Sequence, residues 1–209
     1  TLRFEYFSDR TASFEAFKSG NFDFFQENSA KEWATAYDLD SIKAGHMKKE
    51  QILDGDPPQM QAFILNQRRK QMQDPRVRRA LNLAFDCESA NMKLFYDQYA
   101  RVQNFFGEAD LKSQGLPAGK ELALLDELRK DLPPEVFTTE YKQPLNKTPE
   151  DHRRNMSEAV KLLTEAGWTP KNGVMTNAKG ETLTLELLTY DSSFERVYQP
   201  YVGTLKKLG

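Results

Sequence analysis

Asp74-Pro75-Arg76-Val77-Arg78-Arg79-Ala80-Leu81-Asn82-Leu83-Ala84-Phe85-Asp86 is the stretch on which the fold turns. Aspartate before proline reads as a helix start. The carboxylate can accept from first-turn N–H groups, and proline fits the first helical position, where its missing N–H costs nothing. Val77, Leu81, Ala84 and Phe85 recur on one helix face, with Arg76, Arg78, Arg79 and Asn82 on the others. Asp86 can cap a further helix bearing Met92, Phe95 and Tyr96. Upstream the character changes: residues 47–53 and 59–66 read as strands, separated by the turn signal Asp54-Gly55-Asp56-Pro57-Pro58. The natural boundary lies near Asn66–Lys70, where strands give way to helices.

Toward the N-terminus, Leu2, Phe4 and Tyr6 alternate with Arg3 and Glu5, which predicts a half-buried strand. Phe14 and Phe17 predict a helix stopped at Ser19-Gly20, Phe22 to Phe25 a second strand, and Asn28-Ser29 the cap of a helix carrying Trp33, Ala36 and Tyr37. Toward the C-terminus, a helix is expected near Glu121–Lys130, followed by a proline-rich irregular stretch over 131–148. Thr148-Pro149-Glu150-Asp151 starts the next helix, with Asp151 in place of the usual Glu of a capping box, and Gly167 ends it. Residues 173–176 and 182–190 around Asn177-Ala178-Lys179-Gly180 predict a hairpin, and Phe194 to Leu208 a last helix.

The 209 residues are 39% hydrophobic and 29% charged, with a formal net charge of -2. That balance favours neither nucleic acid nor an anionic membrane as partner, and the Arg68-Arg69-Lys70 and Arg76/Arg78/Arg79 clusters read as solvated faces. Chemistry-bearing motifs are missing. His46 and His152 have no partners at metal-ligand spacing and read as surface residues; no metal or cofactor is expected. Cys87, the lone cysteine, follows Asp86, whose charge raises rather than lowers a thiol pKa. There is neither a phosphate-binding glycine loop nor a Gly-x-Ser-x-Gly motif. The chain is expected to bind rather than catalyse.

Several segments together resemble one family. Phe14-Glu15-Ala16-Phe17-Lys18-Ser19-Gly20-Asn21-Phe22-Asp23 is similar to a first-lobe segment of the family 5 extracellular solute-binding proteins. Phe63-Ile64-Leu65-Asn66-Gln67-Arg68-Arg69 with the Asp74–Asp86 helix resembles that family's hinge segment. Leu94-Phe95-Tyr96-Asp97-Gln98-Tyr99, Gly115-Leu116-Pro117-Ala118-Gly119-Lys120-Glu121-Leu122 and Ala166-Gly167-Trp168 resemble its YejA-like peptide-binding branch.

The resemblance implies an α/β, periplasmic-binding-protein-like fold (type II, cluster C) with a mixed sheet and flanking helices. Residues 1–66 would be the C-terminal part of lobe I, 67–73 the hinge, and 74–209 the larger part of lobe II. It further implies a monomeric periplasmic component of an ABC importer that binds peptides and delivers them to permease subunits. No signal segment precedes Thr1, as expected of a piece cut from a longer chain. Ligand contacts are expected from loops after strand ends: Gln26, Glu27 and Asn28, and Tyr190, Asp191, Ser192 and Ser193. Phe105 and Phe106 are expected to wall the pocket or to lie in the core; Asn66, Gln67, Arg68 and Arg69 are the hinge by resemblance. An oligosaccharide or other solute, a catalytic α/β domain with an unidentified carboxylate pair, and a protein-interaction domain remain as alternatives.

Overall fold

The structure is a computed structural model describing residues 1–52, 55, 60–106, 111–189 and 194–209. It forms two compact units, Thr1–Gln51 and Ile52–Gly209.

The first unit holds helices α1 (Arg10–Lys18), α2 (Ala30–Thr35) and α3 (Asp40–Lys43). Asp9 caps α1 by accepting from the Ala12 N–H at 2.9 Å, and that bond, helped by the Ser8 hydroxyl, holds its carboxyl below the usual range. Ser29 caps α2, its hydroxyl accepting from the Glu32 N–H. The unit is held by rings: Phe17 meets Phe22 at 5.6 Å and Phe25 at 5.4 Å between centroids, and Tyr37 meets Phe14 at 5.1 Å and Trp33 at 5.8 Å.

The second unit holds α4 (Lys70–Gln73), α5 (Pro75–Ala84), α6 (Cys87–Leu94), α7 (Gly119–Glu127), α8 (Glu135–Thr138) and α9 (Pro149–Glu165). Strands β1 (Thr169–Lys171) and β2 (Val174–Thr176) and helix α10 (Glu195–Leu208) follow. Its core is α5 against α9, with Val77, Ala80, Leu81 and Ala84 on one side and Ala159, Leu162 and Leu163 on the other. Met72, Met175, Tyr201 and Leu208 complete it. The starts of both helices follow the sequence. The Asp74 side chain accepts from the Arg76 N–H at 2.8 Å. Thr148 and Asp151 form a reciprocal capping box, the Asp151 N–H donating to Thr148 Oγ1 at 3.1 Å and the Thr148 N–H to Asp151 Oδ2 at 3.2 Å. Tyr201 donates its buried hydroxyl to the Leu81 carbonyl at 2.9 Å, and burial pushes its ionisation well above the usual tyrosine range.

The strands depart from expectation. Among the described residues the one sheet has two strands, β1 and β2, antiparallel with Thr169 opposite Thr176. The tight turn is Asn172-Gly173, whose φ angles of 52° and 82° are both positive, as a two-residue turn matching strand twist requires. The expected turn at Asn177–Gly180 also forms, but it leads only to a single bridge between Thr176 and Thr182, with the Leu183 N–H donating to the Met175 carbonyl at 2.8 Å. The described parts of segments 2–6, 22–25, 47–53 and 59–66 form no ladder. A strand is a pairing, and alternation alone does not supply the partner. Leu2, Phe4 and Tyr6 are 88%, 75% and 90% exposed, so no face of that segment is covered. Phe22 and Phe25 both turn onto Phe17, a spacing of three rather than two.

The units divide N-terminal to the anticipated boundary at Asn66. Phe63 meets Phe85 edge-on (5.6 Å) and Tyr201 at a tilt (5.2 Å), and Leu65 packs on the α5–α9 core, which draws this stretch into the second unit.

Candidate functional site

In the second unit, two irregular segments, 101–106 and 140–146, run over the α5 side of the core. α5 turns Asn82 toward them. The Asn82 Nδ2 donates to Gln143 Oε1 at 2.9 Å, and Arg101 donates through Nη2 to Asn82 Oδ1 at 2.8 Å and through Nη1 to the Pro144 carbonyl at 2.6 Å. The second segment is pinned again at Asn146, which is buried. Its N–H donates to Glu88 Oε2 at 3.0 Å, and Asn155 of α9 donates to the Leu145 carbonyl at 2.8 Å and to Asn146 Oδ1 at 3.1 Å.

Between the two segments and residues 112–115 lies an open groove of about 530 Å³. Gln103, Asn104, Ser113, Gln114, Tyr141 and Gln143 line it, with a Lys142–Glu140 pair at 2.8 Å beside them. Amides and hydroxyls both donate and accept, so this lining suits a ligand with peptide-like or hydroxyl-rich edges. Phe105 and Phe106 follow directly, 80% and 54% exposed, and the Phe106 N–H donates to Asn104 Oδ1 at 3.0 Å. They are therefore not core residues, and as exposed rings beside an amide-lined groove they offer apolar area to an incoming group.

The first unit has its own shallow groove of about 360 Å³, between α1 and α2, lined by Arg10, Phe14, Lys18, Glu27 and Glu32 among others. Glu27, expected as a ligand contact, is occupied: its nearly buried carboxylate accepts from Arg10, from the Ser29 N–H at 2.7 Å and from the Tyr37 hydroxyl at 2.9 Å. It ties α1 to the turn before α2. Gln26 and Asn28 flank it and are exposed.

At the anticipated hinge, Asn66 makes a turn. Its Oδ1 accepts from the Arg68 N–H at 3.1 Å and its carbonyl from the Arg69 N–H at 3.0 Å. Arg69 also reaches Glu186 at 3.4 Å, while Gln67 is exposed. Tyr190, Asp191, Ser192 and Ser193 lie outside the described residues. Cys87 is half-buried, and burial pushes its thiol up against the opposing pull of Arg101. His46 is exposed, but His152 is not the plain surface residue expected: its Nδ1 is buried and sits 3.8 Å from Asp86 Oδ2. Among the described residues there is no group of three or more metal-ligating side chains, and no helix is long and apolar enough to cross a membrane.

Sequence reasoning missed Asn82, Arg101, Gln103, Tyr141 and Gln143. Asn82 counted as a polar position on α5, and 131–148 as merely irregular. The available signal was the concentration of amide residues in two polar segments with no helical or strand period.

Comparison with known proteins extends this. The Agrobacterium fabrum (strain C58) protein named "Probable peptide-binding protein YejA" is 45% identical over 212 residues, covering 100% of this chain and 34% of its own length. The Escherichia coli (strain K12) protein YejA is 38% identical over 210 residues, with 100% and 35% covered. A second Agrobacterium fabrum protein, named "Peptidoglycan-binding protein YepA", is 31% identical over 212 residues, with 98% and 34% covered. The chain thus spans about a third of the length of these relatives. Residues 1–209 match the family described as "Bacterial extracellular solute-binding proteins, family 5 Middle", and the chain belongs to that family.

Proposed function

We propose that the chain is part of the periplasmic substrate-binding component of an ABC importer, which holds peptides and delivers them to the permease without transforming them. The observation that carries this reading is the 45% identity, along the whole chain, to a protein named as peptide-binding. The amide-lined groove of the second unit supports it, because side chains that donate and accept in equal measure can pair with peptide backbone whatever the sequence. In the full-length protein we assign residues 1–66 to the end of lobe I, its last residues around Phe63 and Leu65 already packed on the α5–α9 core, 67–73 to the crossing and 74–209 to lobe II. The two lobes close over the peptide, and the protein acts as a monomer. Phe105 and Phe106 contribute the apolar wall. Gln26 and Asn28, flanking the structural Glu27, and Tyr190, Asp191, Ser192 and Ser193 supply further polar contacts.

The test is a thermal-shift and calorimetric panel on the full-length protein, with turnover followed in parallel. Stabilisation by peptides without product supports the reading. Hydrolysis of any member, or indifference to every peptide, overturns it.

A second reading is favoured by the similarity to the protein named as peptidoglycan-binding. Here the ligand carries sugar as well as peptide, and the exposed aromatic rings beside the amides suit a sugar face equally well. Peptidoglycan fragments with and without their peptide stem belong in the same panel. Tighter binding of the sugar-bearing form decides for this reading.

A further inference from the structure

Four residues, two of them lining the groove, close a ring of hydrogen bonds that runs through their side chains and through the backbones of Arg101 and Gln143. Arg101 Nη2 donates to Asn82 Oδ1 at 2.8 Å, and Asn82 Nδ2 donates to Gln143 Oε1 at 2.9 Å. The Gln143 N–H donates to Gln103 Oε1 at 3.1 Å, and Gln103 Nε2 donates back to the Arg101 carbonyl at 3.4 Å. The ring joins one wall of the groove, at Gln103, to the other, at Gln143, and hangs both from α5, the helix that follows the Asn66–Arg69 turn and α4.

The direction of the first two bonds follows from the Arg101 guanidinium; the other two are fixed by the Gln143 backbone N–H, which can only donate, and the Arg101 carbonyl, which can only accept. A guanidinium can only donate, so Asn82 must present its oxygen to it, and that turns the Asn82 amide nitrogen toward Gln143. The walls need such a device. Segments 101–106 and 140–146 have no helix or strand of their own, and among their described residues Asn146 alone is buried, itself held by hydrogen bonds to Glu88 and Asn155. Packing therefore does not set their spacing, and side-chain hydrogen bonds do.

We infer that this ring sets the width of the groove, and that Asn82 and Arg101 are positioning residues that do not line it themselves. The inference rests on the groove being a ligand-contacting surface. Walls held apart at a fixed spacing need not be ordered when a ligand arrives, which is how rigidity raises affinity.

The test uses the full-length protein and reads hydrogen exchange beside calorimetry with a tripeptide library. Asn82→Leu is expected to speed amide exchange in 101–106 and 140–146 together, by about tenfold, while α9 stays protected. Asn82→Asp and Gln143→Glu should each leave amide exchange near wild type, because each leaves a donor facing an acceptor; in the first, the Gln143 amide turns to donate. The double variant N82D/Q143E puts two carboxylates face to face. It should match Asn82→Leu in exchange and weaken peptide binding about tenfold. Faster exchange in only one of the two segments, or a double variant equal to the sum of its singles, overturns the proposal. If the wild-type protein binds no peptide while the exchange pattern holds, the peptide reading fails and the ring stands.

Discussion

The two units are stabilised by different means. Ile52–Gly209 has a closed aliphatic core in which Val77, Ala80 and Ala159 are wholly out of solvent, built where two amphipathic helices face each other. In Thr1–Gln51, Ala30 alone is fully buried among the described residues, and Phe and Tyr rings pack around a carboxylate shielded from water. The contrast teaches where each unit is vulnerable. An aliphatic core fails through lost volume, whereas a ring cluster around an ion pair fails through lost polar satisfaction.

The largest expected effect comes from striking the aliphatic core. Leu163→Ala leaves a hole between α5 and α9 and should destabilise the second unit by about 3 kcal/mol in urea unfolding. A cost below about 1 kcal/mol would mean that the core collapses onto the gap and that the contrast between the units is overstated.

The matching blow to the first unit is Glu27→Gln, which keeps the shape and removes the charge that meets Arg10. Arg10 remains partly in water, so the cost should be about 2 kcal/mol. Hydrogen exchange should show it in residues 9–37 and leave α9 untouched.

Tyr201 sharpens the comparison through pH. Its proton is held more tightly in the folded than in the unfolded protein, because the charged form would be buried. Below about pH 10 both states keep the proton and its contribution is fully present. Above that the unfolded state releases it first, binds fewer protons, and folding stability falls as pH rises. Tyr201→Phe should cost about 1 kcal/mol at neutral pH, from the unpaired Leu81 carbonyl, and should flatten the alkaline slope. An unchanged slope would place the alkaline sensitivity elsewhere; burial also raises Tyr37, in the first unit.

The smallest effect belongs to Lys49, whose ammonium lies 4.2 Å from the Trp33 ring centroid. Lys49→Ala should cost about 0.5 kcal/mol, and a Trp33 fluorescence shift is the sensitive readout.

Legibility followed the same division of forces. Helix starts are local chemistry, so Ser29, Asp74, Asp86 and Thr148 could be read from their neighbours, and each caps a helix. Strands are long-range pairings, and the alternation in Leu2-Arg3-Phe4-Glu5-Tyr6 could not reveal whether a neighbour was in place. The groove was hidden for a related reason. Its residues are ordinary amides, made distinctive only when Arg101, Asn82, Gln103 and Gln143 are brought together across up to 61 positions of chain. Glu27 shows the reverse error, a residue well placed by the loop rule that folding had already committed to Arg10 and Tyr37.

By itself, then, the sequence determined the longer helices, several of their caps and the family, because capping, periodicity and motif spacing are written within a few residues of one another. Only the tertiary structure decided which polar side chains are consumed in holding the chain together and which are left facing a groove. That choice depends on which distant partner reaches each donor and acceptor first, and no local pattern encodes it.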